Sequence, residues 1–176
     1  GLLFLPWRVI MVYLPIRLLE LGGRAFHQGT AMSVMSISIM PVLMLYPRLR
    51  KRCSCRCLLA LGSLSMAARL GIMAAAEAPW VLVLAQLLEA LSYGLVQPAI
   101  MELLGRADPA LRPRVVSIWT GIQMALCTVV ANGLVTLLSG RFGLNEIFAW
   151  MIIPTVLGCL LLLRAACTKE VYSDAG

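Results

Sequence analysis

Six apolar runs follow one another along this chain with only short polar breaks between them, at about residues 2–21, 30–46, 57–76, 79–104, 115–138 and 144–163. A bilayer core about 30 Å thick takes roughly 20 apolar residues to cross as a helix. Within it the backbone must satisfy its own polar groups, which a helix does segment by segment. The pattern therefore predicts an all-α integral membrane protein with six transmembrane helices. Composition supports this reading over a water-soluble one: of 176 residues, 61% are hydrophobic and 13% charged. A soluble domain sits near half and about a quarter. The six spans nearly exhaust the chain and leave no room for a soluble catalytic domain.

The breaks between spans carry the remaining signals. The first run is the least regular, with Arg8, Arg17, Pro6 and Pro15 inside it. Pro41 predicts a kink in the second. Residues 48–56 form a basic loop, Glu77-Ala78-Pro79 a tight turn, and residues 164–176 a polar tail. The chain opens on a glycine in the middle of an apolar run, with no basic leader and no small-residue cleavage site of the signal-peptide kind. It is expected to be a fragment or a processed product.

A net charge of +7 invites a nucleic-acid reading, which the placement of the charges rejects. If the loops alternate across the membrane, one side collects Arg48, Arg50, Lys51, Arg52, Arg56, Arg106, Arg112, Arg114, Arg164 and Lys169. The other collects Arg24 and Arg141, so the count is ten against two. Basic loop residues set topology, with the basic side facing the cytoplasm, and both termini are expected there. The spans also split at residues 77–79 into two sets of three. Pro47-Arg48-Leu49-Arg50 and Gly140-Arg141-Phe142-Gly143 occupy equivalent turns on opposite sides of the membrane, as two inverted three-helix repeats require.

The fourth run carries most of the chemistry. Gln86, Glu89, Tyr93 and Gln97 point within about 80° of one another at 100° per residue, one polar stripe on an apolar helix. Pro98 follows and could open the helix there. Glu89 lies about 15 Å into the span at 1.5 Å per residue, near the middle of the core. A charge at that depth costs on the order of 2.5–3.5 kcal/mol even on lenient scales, so Glu89 must be protonated, paired or hydrated. Each state suits a transporter, and a plain interhelical hydrogen-bonding role is the alternative. Arg69 sits at comparable depth on the preceding span and is the natural partner. Its own alternative is to snorkel to the outer surface.

In the fifth run Ser117, Gly121, Thr128 and Asn132 fall within roughly 60° of one another. Close helix approach explains Gly121, whereas Asn132 is the better cavity candidate. Cys53, Cys55 and Cys57 have no neighbouring His or Cys to complete a metal site. Reversible acylation and chance loop cysteines remain open for them. His27, the lone histidine, falls in an outer loop, which argues against a histidine proton relay. No cofactor or metal is expected.

At these residues the chain resembles the major facilitator superfamily, specifically the C-terminal six helices of the lactose permease and phenylpropionate permease type. Tyr13-Leu14-Pro15 through Glu20-Leu21-Gly22 is similar to the end of the family's seventh helix. Met66-Ala67-Ala68-Arg69-Leu70-Gly71 places Arg69 where its ninth helix has an intramembrane arginine. Leu84-Ala85-Gln86-Leu87-Leu88-Glu89 resembles the tenth-helix segment with a functional histidine, and here that position is Glu89. Pro109-Ala110-Leu111-Arg112 and Gly140-Arg141-Phe142-Gly143-Leu144 resemble the loops flanking the eleventh helix.

The resemblance implies half of a twelve-helix fold and a proton-coupled secondary transporter of a small solute. Arg69 and Glu89 would couple protons to solute, and Gln86, Tyr93, Gln97, Ser117, Thr128 and Asn132 would line the cavity. The partners it implies are solute, protons, the lipid bilayer, and a missing N-terminal six-helix half or a second copy. Three other readings stay open: a transporter-derived receptor or scaffold without flux, a six-helix protein that dimerises, and a membrane-embedded enzyme.

Overall fold

A computed structural model describes residues 2–105 and 108–173, apart from the side chains of residues 139, 162 and 165–173. The described chain forms six helices joined by short turns. Helix α1 is Phe4–Glu20, α2 is Ala25–Arg52 and α3 is Cys55–Ala75. Helix α4 joins Pro79–Ala85 and Glu89–Gly105 through a 3-10 turn at Gln86–Leu88. Helix α5 joins Arg112–Gly121 and Cys127–Ser139 through a π-helical turn at Ile122–Leu126. Helix α6 is Leu144–Trp150 continued by Ile152–Ser173. Five of the six are long and apolar enough to cross a membrane, and α1, at 17 residues, is the shorter one.

Several polar breaks are shorter than the hydropathy pattern predicts. The basic loop at 48–56 is mostly helix: Arg48, Arg50, Lys51 and Arg52 ride the last turns of α2, and only Cys53 and Ser54 separate it from α3. Cations at a helix C-terminus meet the negative end of the dipole, so a basic run prolongs the helix there. Ser54 then caps α3, its Oγ accepting from the Cys57 N–H at 3.2 Å. Pro47-Arg48-Leu49-Arg50 is accordingly no turn, whereas residues 140–143 are. His27 leaves its expected loop for the first turn of α2, its Nδ1 accepting from the Arg24 N–H at 3.0 Å. Residues 164–173, read as tail, continue α6. Residues 174–176 and Arg106 lie outside the described residues, as does the Lys169 side chain.

Helix α3 is the hub, packed between α4 and α6, while α2 leans on α4, and α1 on α5 and the start of α6. One apolar cluster joins α1, α3, α4 and α6 through Ile10, Leu14, Leu70, Leu82 and Phe148, and a second centres on Phe4, Leu59, Val96 and Ile100. Helix α2 buries only Ala31 and Met35 and leaves Met44 81% exposed. So much exposed apolar surface on one helix suits a hydrocarbon solvent. Close approach of α3 to α4 depends on Gly62, where an added Cβ would stand 2.6 Å from Val96 Cγ2 and 3.1 Å from the Leu91 carbonyl oxygen.

Gly62→Leu is expected to destabilise the bundle by about 1–3 kcal/mol through overpacking. Gly71→Ala on the same helix, with nothing within 4 Å of the new Cβ, should be neutral or stabilising. Thermal unfolding of the purified variants in detergent checks the contrast.

Candidate functional site

The polar stripe on α4 is where hydrocarbon helices enclose charge. Arg69 on α3 and Glu89 on α4 form an ion pair, and both side chains are 0% exposed. The antiparallel turn at 76–78 explains how they meet: residues on either side of it run back at matching depths, with the longer arginine closing the gap. Arg69 does not snorkel. Its second terminal nitrogen donates to Gln86 Oε1, while Gln86 Nε2 donates to the Leu82 carbonyl at 2.8 Å. Gln86 is thereby held with its oxygen toward the cation.

Glu89 accepts from three directions. Besides Arg69, the indole Nε1 of Trp7 on α1 donates to Oε1, and Ser92 Oγ donates to Oε2 at 3.1 Å. Charge-assisted donors at both oxygens are what make a buried carboxylate tolerable. Helix α4 tightens to 3-10 geometry at Gln86–Leu88, immediately before the carboxylate. Such mid-helix tightening often marks a hinge or a strained sequence. Ser65 on α3 donates to the Leu88 carbonyl at 3.0 Å, bracing the same turn. Pro98, expected to open the helix, does not: α4 runs through it to Gly105.

The other candidates divide. Tyr93 stacks on Trp7 with ring centroids 5.3 Å apart, which joins it to the Glu89 cluster. Gln97 lies farther along α4, where its Oε1 accepts from Gln123 Nε2 at 3.5 Å. On α5, Ser117 and Asn132 are exposed and Thr128 is half-buried, its hydroxyl donating to the Met124 carbonyl at 2.7 Å. None of the three reaches the ion pair. A Cβ at Gly121 would meet nothing within 4 Å, so no helix approaches closely there among the described residues. Of the three loop cysteines, Cys55 is buried, with Sγ 3.6 Å from the Ala99 carbonyl oxygen, while Cys57 is exposed.

Residues that the sequence did not single out complete the cluster. Trp7 belongs to the least regular span and touches Glu89 across 82 positions of chain. Ser92 had a local signal, since i and i+3 share a helix face. Gln123 is buried within the π-helical turn of α5. A polar residue in an apolar run was its only mark.

Six apolar helices wrapped around a charge pair with no surface exposure define a multi-pass membrane protein whose core chemistry is electrostatic. The chain belongs to the MFS_1 like family, which it matches over residues 2–153. That membership points to a transporter. No match was found among curated proteins or among solved structures.

Breaking the pair from either side should be costly and unequal. Glu89→Leu strands a guanidinium that stays charged, with an expected loss of about 3–5 kcal/mol. Arg69→Leu strands a carboxyl that a proton can neutralise, and should cost less. The double variant, free of stranded charge, should recover part of the larger loss in the same unfolding measurement.

Proposed function

We propose that this chain is one bundle of a proton-coupled secondary transporter of a small solute that works by alternating access. The buried Arg69–Glu89 pair carries the proposal: an intramembrane ion pair is expensive to desolvate, and ionisable residues at that depth mark ion and substrate pathways. Beside Arg69 the carboxylate keeps its charge, because a nearby cation favours the ionised form. When the pair separates, Glu89 takes a proton. A two-state carboxyl of this kind turns movement of α3 against α4 into uptake or release of one proton. Trp7 ties α1 to the same oxygen, so displacement of α1 also reaches the switch.

In this proposal Gln86, Tyr93, Gln97, Ser117, Thr128 and Asn132 line the solute path. Ser117 and Asn132, exposed on α5, would complete it against a second six-helix bundle or a second copy. The six helices form two inverted three-helix repeats with both termini in the cytoplasm. The resemblance to the lactose permease and phenylpropionate permease type supports this reading, as does family membership. The break at 76–78 between the two sets fits the repeat, as do the junctions at 53–54 and 140–143, each between the second and third helix of its set. The many cations at the junction of α2 and α3 fit the orientation through the positive-inside rule.

Uptake and counterflow in proteoliposomes test the coupling, using the protein as it occurs in its membrane. Glu89→Gln should abolish accumulation driven by a pH gradient while leaving counterflow in place. Undiminished pH-driven accumulation in that variant removes Glu89 from the mechanism.

A further inference from the structure

Arg8 is a second intramembrane cation, and the coupling scheme does not use it. It follows Trp7, whose indole reaches Glu89, so Arg8 enters the bundle at about the depth of the ion pair. Arg17, nine positions along α1, already reaches the Ala76 carbonyl at the end of α3. At 1.5 Å per residue Arg8 lies about 13 Å deeper, too far to snorkel to that surface.

Its contacts among the described residues are all neutral. Nε donates to the Gln123 carbonyl at 3.2 Å, a terminal nitrogen meets Met124 Sδ, and the guanidinium lies over the Trp7 ring at 4.8 Å from its centroid. Among the described residues Arg8 has no carboxylate partner. Glu89, which the neighbouring Trp7 touches, is already matched by Arg69. The neighbourhood is thus one positive charge in excess. On α5, Trp119, one turn before Gln123 and edge-on to Phe4, has a buried indole Nε1 without an acceptor among the described residues. The π-helical turn that carries Gln123 and Met124 is a geometry often found at functional sites.

Resting on the transporter reading above, we propose that the transported solute is a small organic anion whose carboxylate or other oxyanion is bound by Arg8. Neutral dipoles and a ring face hold the guanidinium in place without cancelling its charge. An arriving oxyanion cancels it, with a guanidinium geometry suited to two-point recognition. A cationic solute meets repulsion at the same point. An uncharged one leaves the charge of this half-buried guanidinium unmatched. Selectivity by charge therefore comes from Arg8, and proton coupling from Glu89.

The test is equilibrium binding, read without turnover. The purified protein is heated with benzoate, phenyl phosphate, benzyl alcohol or benzylammonium at matched ionic strength, so that the body stays constant and the charge changes. Binding at about tenfold excess over Kd raises the unfolding midpoint by roughly 3–6 °C. At least one of the two anions should produce that shift in the native protein. Arg8→Gln should lose it, and Arg8→Lys should keep part of it. The alcohol and the ammonium should give none. The proposal is overturned if neither anion shifts the midpoint, if the alcohol or the cation matches the anions, or if Arg8→Gln responds like the native protein. A carboxylate from a second bundle paired with Arg8 gives the first of these results. Because binding is scored at equilibrium, loss of flux in Glu89→Gln does not bear on it, and intact anion binding with no pH-driven uptake would reject the coupling scheme alone.

Discussion

A guanidinium and a carboxylate facing each other inside hydrocarbon set the terms for the rest of this bundle. Neither Arg69 nor Glu89 could stay there alone at tolerable cost, since an unpaired buried charge costs several kcal/mol. Their mutual approach requires α3 and α4 to lie antiparallel and close. Gly62 permits that contact by bringing no side chain to the place where Val96 and the Leu91 carbonyl sit. Gln86 and Ser92, each about one turn from Glu89, take up part of the remaining hydrogen-bonding capacity, while Arg69 Nε is buried without an acceptor among the described residues. The 3-10 turn between Gln86 and Glu89 keeps both side chains on the Arg69 side. The polar stripe of α4 thus buries inward on α3 in its first half and turns toward α1 and α5 at Tyr93 and Gln97.

Helix α1 occupies a special position in this arrangement. Through Trp7 it is bonded to the carboxylate, and through Arg8 to the backbone of α5. Two successive residues therefore point at two different neighbours, about 100° apart around the helix. One contact belongs to the ion pair, and the other places a separate positive charge beside the π-helical turn of α5. A shift of α1 disturbs both at once. Under the proposed transport reading, that linkage would let solute charge and carboxyl protonation influence each other, because whatever changes the position of α1 changes the surroundings of both groups.

The outer surface has a different logic. Helix α2 and the outward faces of α5 and α6 expose leucine, isoleucine and methionine freely, which water would penalise and lipid does not. At one end of the bundle another ion pair, Arg50 with Glu102 at 2.8 Å, joins α2 to α4, and Tyr46 donates to the same carboxylate at 3.3 Å. Partly exposed as it is, this pair contributes modestly beside the buried one. It nevertheless fixes where the long basic end of α2 meets α4, and so where the cationic surface begins.

Hydropathy alone determined the six-helix membrane architecture, because crossing hydrocarbon demands long apolar runs whatever the packing. The match of Glu89 with Arg69 was also legible, since a tight turn leaves antiparallel neighbours at corresponding levels. Helix ends were less so: the basic run at 48–52 and the segment 164–173 read as polar and are helical, because hydropathy measures solubility in lipid and not the tendency to coil. Only the tertiary structure decided that Trp7 donates to Glu89, that Arg8 meets no acid among the described residues, and that Ser117, Thr128 and Asn132 stand away from the ion pair. These depend on how α1 and α5 are rotated about their axes. Rotation follows from packing among helices distant in sequence, and no local periodicity encodes it.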